Sequence, residues 1–322
     1  MYKSLFKLQR DPFAISPDPQ FLYPSEMHTE ALAGLFYGIR SRKGLMVLTG
    51  EVGTGKTLVL RCLLDSLDQE KIAYAYIFHS LLPTQELLHY AMQSLGLQSP
   101  PTSRGDLLMR LNWFLSRRHL QGLPTVLVVD EAQHLSEETL EEIRLLTNLE
   151  TPQVKLLQII LAGQPELDQK LESYQLRQFK QRIALRFQLE ALSEQQVAAY
   201  VENRLKQAGG DGSEVFPSSA IQRIYHYSQG IPRLINLLCE NCLISSFALG
   251  QSRVAPSTVD EVAKDLRMQP TKWPRPDAHP PLEGMTISRE AAERSQAHER
   301  LNWPGEPDER RPAMAIRTGG LL

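Results

Sequence analysis

Between positions 50 and 57 the chain reads Gly50-Glu51-Val52-Gly53-Thr54-Gly55-Lys56-Thr57, which is the spacing G-x-x-x-x-G-K-[ST] of a phosphate-binding loop. Each position has a chemical reason. The glycines let backbone N–H groups turn inward around phosphate oxygens, and the helix that must follow, starting at Lys56 and running on through Leu58, adds partial positive charge at its first turn. Lys56 is placed to neutralise the β and γ phosphates of a nucleotide, and the Thr57 hydroxyl to hold Mg²⁺.

Some 75 residues on, Asp130 and Glu131 follow the apolar run Thr125 to Val129. Two adjacent carboxylates at the end of a buried strand are costly unless a cation or a substrate uses them. Asp130 is read as the direct or water-mediated Mg²⁺ partner, and Glu131 as the general base that polarises an attacking water. Gln164, in Gly163-Gln164-Pro165 after the next strand, is placed either to orient that water or simply to open a turn. Arg177, Arg182 and Arg186 form a basic cluster, either a solvated edge or the source of an arginine finger that reaches a neighbouring subunit's nucleotide. Arg182 is the favoured finger, with Arg177 second. Arg233 stands in the first turn of a helix opened by Pro232, where a cation gains nothing from the helix dipole and so points to an anion such as the γ-phosphate. Cys239 and Cys242 have the spacing of half a zinc site, but without a second pair their i, i+3 positions on an apolar helix face fit two buried thiols. The histidines show no metal-ligand spacing.

The elements that must carry these residues alternate in the manner of a parallel sheet covered by helices on both faces. Strands are predicted over Gly44 to Thr49, Ile72 to Phe78, Thr125 to Val129, Val154 to Ala162 and Ile183 to Leu189. Helices are predicted near Lys56 to Leu67, Pro83 to Leu95, Gly105 to His119 and Ser136 to Leu149. From Ser193 the strand signals stop. Ser193 and Gln196 form a capping box before Val197, Tyr200, Val201 and Leu205, and further helices follow near Ser218 to Tyr227, Ile231 to Leu249 and Ser257 to Leu266. The organisation expected is an N-terminal segment over 1–43, an α/β domain with the phosphate loop over 44–190, a small all-helical lid over 191–268 and a disordered Pro-rich tail over 269–322. That tail holds 8 of the 21 prolines, with Trp273 and Trp303 as candidate docking anchors.

The chain has 322 residues, 42% of them hydrophobic and 22% charged, which excludes fibrous, wholly disordered and disulfide-stapled classes. With 35 basic against 37 acidic residues the net charge of −2 gives no global attraction to nucleic acid, and the run Arg40-Ser41-Arg42-Lys43 with Lys155 is too sparse to supply a local one. No stretch approaches the roughly 20 apolar residues that span a bilayer, and Met1 to Pro12 lacks the apolar core of a signal peptide, so a cytoplasmic location is expected. Three cysteines without an export signal are expected as free thiols.

Taken together, the phosphate loop, the Asp130-Glu131 pair of Walker B type, the polar Gln164, the arginine cluster and Gly230-Ile231-Pro232-Arg233 in a trailing helical lid resemble an AAA+ ATPase over residues 44–268. A strand-separating helicase needs a second motor domain, and the lid stands in its place. More narrowly, Pro17-Asp18-Pro19, Phe21-Leu22-Tyr23-Pro24-Ser25 and His28 within Phe13 to Ile39, together with Gly50-Glu51 and Gly163-Gln164-Pro165-Glu166-Leu167, resemble the general secretion pathway protein A (ExeA-type) family. The resemblance implies an ATPase switch that assembles or regulates an envelope secretion or polysaccharide-export system, peripheral at the inner membrane through a partner. A homo-oligomer formed with ATP is expected because Arg182 has no evident partner within its own subunit's nucleotide site. The resemblance also implies that the segment before the first strand encloses adenine, placing Phe21, Tyr23 and Pro24 near the base. Secretion members of the family continue into a membrane span and a peptidoglycan-binding domain, whereas this sequence ends in its polar tail. The alternative is a DNA-associated ATPase that directs a recombinase, since similar ATPases regulate transposon target choice.

Overall fold

The computed structural model describes residues 1–78, 80–97, 103–210 and 215–268. The expected tail, with Trp273 and Trp303, lies outside the described residues.

Five parallel strands form one sheet: β1 (Leu45–Gly50), β2 (Ala73–Ile77), β3 (Thr125–Val129), β4 (Leu157–Gly163) and β5 (Ile183–Leu189), in the order β2-β3-β4-β1-β5. The three inner strands are apolar runs because both of their faces are covered. Side chains alternate across the sheet as the two-residue period requires. Leu45, Val47, Leu127, Val129, Ile159 and Leu161 join one core cluster, while Met46, Leu48, Val126, Val128, Ile160 and Ala162 join the other. The second face is covered by α1 (Glu26–Arg40) and α2 (Lys56–Gln69). The first is covered by α3 (Thr84–Ser94), α4 (Arg104–Leu120), α5 (Glu137–Leu146), α6 (Pro165–Leu171) and the short α7 (Arg177–Lys180).

Helix starts follow their side-chain caps. Ser25, Ser103 and Ser136 each accept a backbone N–H three residues on, which satisfies donors the helix itself leaves free. Two boundaries differ from expectation for a local reason. The Thr151 hydroxyl accepts from Gln153 N–H and Val154 N–H, folding 151–154 into a turn, so β4 begins at Leu157. The helix α5 stops at Leu146, where the Thr147 hydroxyl and N–H both donate back to Arg144 O.

After β5 the described residues form four helices, α8 (Glu194–Gln207), α9 (Ser218–Ser228), α10 (Pro232–Ala248) and α11 (Pro256–Asp265), with the Ser193–Gln196 capping box present at α8. Their core includes Leu205, Ile224, Leu238, Cys239 and Leu243. It also takes in Tyr2, Phe6, Leu8, Phe13 and Phe21 from the start of the chain. The first 43 residues thus serve two parts of the molecule: the opening stretch completes the helical core, and α1 covers the sheet. Cys62, Cys239 and Cys242 are buried free thiols, and burial pushes Cys62 and Cys242 up to about 12. No helix among the described residues is long and apolar enough to cross a membrane.

Candidate nucleotide-binding site

Because all five strands run the same way, their carboxyl ends share one edge. Thr49 stands in register with Gly163, and Val129 with Leu161 and Ile77, so the residues following β1, β3 and β4 converge there. Open parallel sheets bind ligands at this edge.

Gly50 closes β1, and α2 starts at Lys56 directly after Gly55, which adopts φ 106°; Gly53 adopts φ 84°. These left-handed conformations fold the loop back on itself. Lys56 is only 6% exposed, and its ammonium donates to Gly50 O at 2.7 Å and Glu51 O at 2.9 Å. Burial pulls Lys56 below the usual lysine value, opposed by the carboxylates of Glu131, Asp130, Glu51 and Glu166. A buried ammonium held by two carbonyls is poised to exchange them for an anion. Val52 at the loop's tip is half exposed.

Thr57 Oγ1 donates to Asp130 Oδ2 at 3.1 Å, so the two residues predicted to share a cation are in direct contact. Asp130 is buried. Its Oδ2 also accepts from the Tyr76 hydroxyl at 2.8 Å, and its Oδ1 from Glu131 N–H at 2.9 Å. Burial, then the Asp130 carboxylate, pushes the Tyr76 phenol well above its ordinary value. The sequence reading missed Tyr76. Its signal was a polar ring near the end of β2, one position before the last residue of the edge strand.

Glu131 adopts the left-handed region at φ 52°. Its Oε2 accepts from Gln133 Nε2 at 2.6 Å and from Gln164 Nε2 at 3.3 Å, and Gln133 Oε1 accepts from Gln164 N–H at 3.1 Å. Burial raises the carboxyl, but the two amides, Lys56 and His134 together outweigh it and hold Glu131 below the usual carboxylate value. Gln164 therefore does more than open a turn: its amide touches the candidate base. Gln133 was not singled out from sequence.

Arg233 is exposed at the start of α10, and its backbone N–H donates to Gly53 O at 3.2 Å. A Cβ built on Gly53 would stand 2.7 Å from the Arg233 Cβ, so glycine is what lets the helical part approach the loop. His28 on α1 touches the loop from the other side, with Nε2 2.8 Å from Thr54 O.

The remaining predicted residues divide. Tyr23 is half-buried, edge-to-face on Tyr200 with ring centroids 5.7 Å apart, and Pro24 is exposed. Phe21 does not fit an adenine wall: it is buried in the helical core, with the guanidinium carbons of Arg10 and Arg204 each 4.8 Å from its ring centroid. Arg186 is no free finger, because it pairs with Asp168 at 3.1 Å and Glu172 at 3.5 Å, and Asp168 accepts the Thr49 hydroxyl at 2.6 Å. Arg177 stacks on Tyr174 at 4.3 Å. Arg182 is exposed just before β5, at the end of the sheet opposite the phosphate loop.

The oxygens present suit magnesium, which takes one or two protein oxygens and completes its shell with phosphates and water. Thr57 and Asp130 supply such a pair, and no cluster of three or more His, Cys, Asp or Glu side chains forms a separate metal site among the described residues.

Residues 39–171 match the family profile of an AAA domain. The chain is 45% identical over 271 residues to the General secretion pathway protein A of Aeromonas hydrophila, an alignment covering 83% of this chain and 48% of that protein. It thus spans about half the length of that relative. Among solved structures it resembles the Aeropyrum pernix ORC2 protein (TM-score 0.59, 16% identity, 80% of this chain and 72% of that one). The Drosophila ORC bound to DNA is similar as well (TM-score 0.63, 19% identity, 82% and 66%), as is the Thermotoga maritima RuvB Holliday junction branch migration motor (TM-score 0.52, 15% identity, 76% and 70%). These structural likenesses concern the fold.

Proposed function

We propose, for a chain that belongs to the AAA+ ATPases of the general secretion pathway protein A type, that it binds and hydrolyses ATP with Mg²⁺ and uses the cycle as an assembly switch in an envelope secretion or polysaccharide-export system. The observation that carries the hydrolytic part is the meeting of Lys56, Thr57, Asp130 and Glu131 at one sheet edge, with the buried Lys56 ammonium donating to two loop carbonyls.

On this reading Lys56 leaves Gly50 O and Glu51 O for the β and γ phosphates, while the N–H groups of the loop from Gly50 to Thr57 surround them. Thr57 and Asp130 would hold the magnesium ion, which would supply charge neutralisation on the phosphates. Glu131, ionised and steadied by Gln133 and Gln164, takes the proton of the attacking water. Arg233 faces the γ-phosphate from α10, and Arg182 of a neighbouring copy completes the charge as a finger, which requires a homo-oligomer. Tyr23 and Pro24 border the base. The relative's name and the shared sequence support the secretion setting. A cytoplasmic site, peripheral to the inner membrane through a partner, belongs to the same proposal.

Phosphate release by wild type, Lys56→Ala and Glu131→Gln tests the chemistry. Lys56→Ala should lose nucleotide binding; Glu131→Gln should keep it and lose turnover by 10²-fold or more, on the order expected for removing a general base. Full turnover in Glu131→Gln would remove it as the base. The pathway is tested by deleting the gene in its host: wild type, but not Lys56→Ala, should restore delivery of protein or polysaccharide to the cell surface.

A further inference from the structure

The imidazole of His28 is 4% exposed in the first turn of α1 and uses both of its nitrogens. Nε2 lies 2.8 Å from Thr54 O, and Nδ1 lies 2.6 Å from Ser25 Oγ. A carbonyl oxygen can only accept, so Nε2 carries the hydrogen. In the neutral ring Nδ1 is then bare and accepts the Ser25 hydroxyl, whose oxygen in turn takes the His28 backbone N–H at 3.4 Å. Burial favours that neutral ring.

The geometry of the peptide unit gives this bond a consequence at the phosphate loop. In a planar trans peptide the C=O of one residue and the N–H of the next point in opposite directions. Fixing the Thr54 carbonyl outward onto His28 therefore aims the Gly55 N–H the other way, toward the hollow in which a phosphate would sit. That peptide precedes a glycine at φ 106°, where no Cβ resists a flip. The loop's own hydrogen bonds at Thr54 come from its N–H and hydroxyl, both to Glu51 O, and leave the carbonyl to the imidazole. The fit is close. A Cβ on Gly55 would meet His28 Nε2 at 2.8 Å, so the absence of a side chain at 55 makes room for the ring as well as for the turn.

We propose that His28 is a positioning residue for nucleotide binding: through the Thr54 carbonyl it locks the peptide between Thr54 and Gly55 with its N–H facing the phosphate site, and Ser25 holds the ring in the tautomer that can do so. This deepens the nucleotide-binding reading and rests on it.

The test uses the full chain and a fluorescent ATP analogue, with affinity, saturated turnover and nucleotide-free thermal midpoint measured for wild type, His28→Gln, His28→Asn and His28→Phe. A glutamine amide can place an N–H close to the Nε2 position, asparagine is one carbon too short, and phenylalanine fills the space without a donor. Affinity in His28→Gln should stay within about threefold of wild type, while His28→Asn and His28→Phe weaken it roughly tenfold, about 1.4 kcal/mol. If His28→Phe does not fold, the Gln and Asn variants decide, and equal affinities in that pair overturn the proposal. Wild-type affinity in all variants overturns it while sparing the nucleotide reading. A wild-type protein that fails to bind the analogue overturns both.

Discussion

Gln133 clamps Glu131: its side-chain amide donates to the carboxylate at 2.6 Å while its carbonyl end is fixed by Gln164 N–H at 3.1 Å. Gln133 is itself 8% exposed, so the clamp is shielded from water and its geometry is firm. Replacing it with leucine should leave ATP affinity within twofold and lower turnover about tenfold, because the base keeps its charge but loses its aim. Single-turnover and equilibrium-binding measurements on Gln133→Leu check this; unchanged turnover would show that Gln164 alone orients the carboxylate.

Arg182 lies exposed at the end of the sheet opposite its own phosphate loop. Specific activity should therefore rise with protein concentration, and a slowly hydrolysed ATP analogue should drive larger species in sedimentation. Arg182→Ala should abolish the concentration dependence while leaving nucleotide affinity near wild type, since a finger acts on the transition state. A monomer at every concentration with saturating analogue, together with constant specific activity, returns Arg182 to a solvated edge.

Gly230 adopts φ 78°, and a Cβ there would meet the Leu192 carbonyl oxygen at 1.9 Å. This glycine ties the exit of the α/β part to the helix carrying Arg233, since Leu192 N–H donates to Gly230 O at 2.9 Å. Gly230→Ala combines a left-handed alanine with a clash against backbone, so a loss of roughly 2–4 kcal/mol is expected. Denaturant unfolding measures it; a midpoint within experimental error of wild type would refute the clash.

The pH dependence of stability has a sign set by His28. Burial lowers its folded value below the ordinary 6.5, so between the two values the unfolded chain binds more protons than the native one. Stability from the neutral ring is complete above about pH 6.5 and is lost as pH falls toward the folded value. Unfolding curves at pH 8 and pH 5.5 should show a larger drop for wild type than for His28→Gln. Equal drops would mean that the ring charges without penalty.

The sheet was legible because strands covered on both faces are written as apolar runs, and the phosphate loop because its spacing leaves little else it can be. Thr57, Asp130, Glu131 and Gln164 were placed together by position at strand ends. What escaped was choice of partner. The contacts of Tyr76 with Asp130, Gln133 with Gln164 and His28 with Thr54 join residues 54, 31 and 26 positions apart, and only strand register and the lie of α1 decide them. Phe21 was misplaced because an aromatic residue in the opening segment can face a base or a core, and one of the two guanidiniums that cover it, that of Arg204, comes from far along the chain. The helix α1 was not among the predicted elements, although Ala31, Leu35 and Ile39, buried at a spacing of four, carry its pattern.

The seam between Gly53 and Arg233 seats the helical part directly on the phosphate loop, as a fulcrum would. The helix α10 has 17 residues, which makes it about 25 Å long, and its first turn rests on the phosphate loop at Gly53, where the loop has no side chain. A tilt of about five degrees imposed at that fulcrum carries the far end through roughly 2 Å. Ile244, Phe247 and Leu249 stand exposed there, so a tilt of that size would move an apolar surface that lies well away from the chemistry.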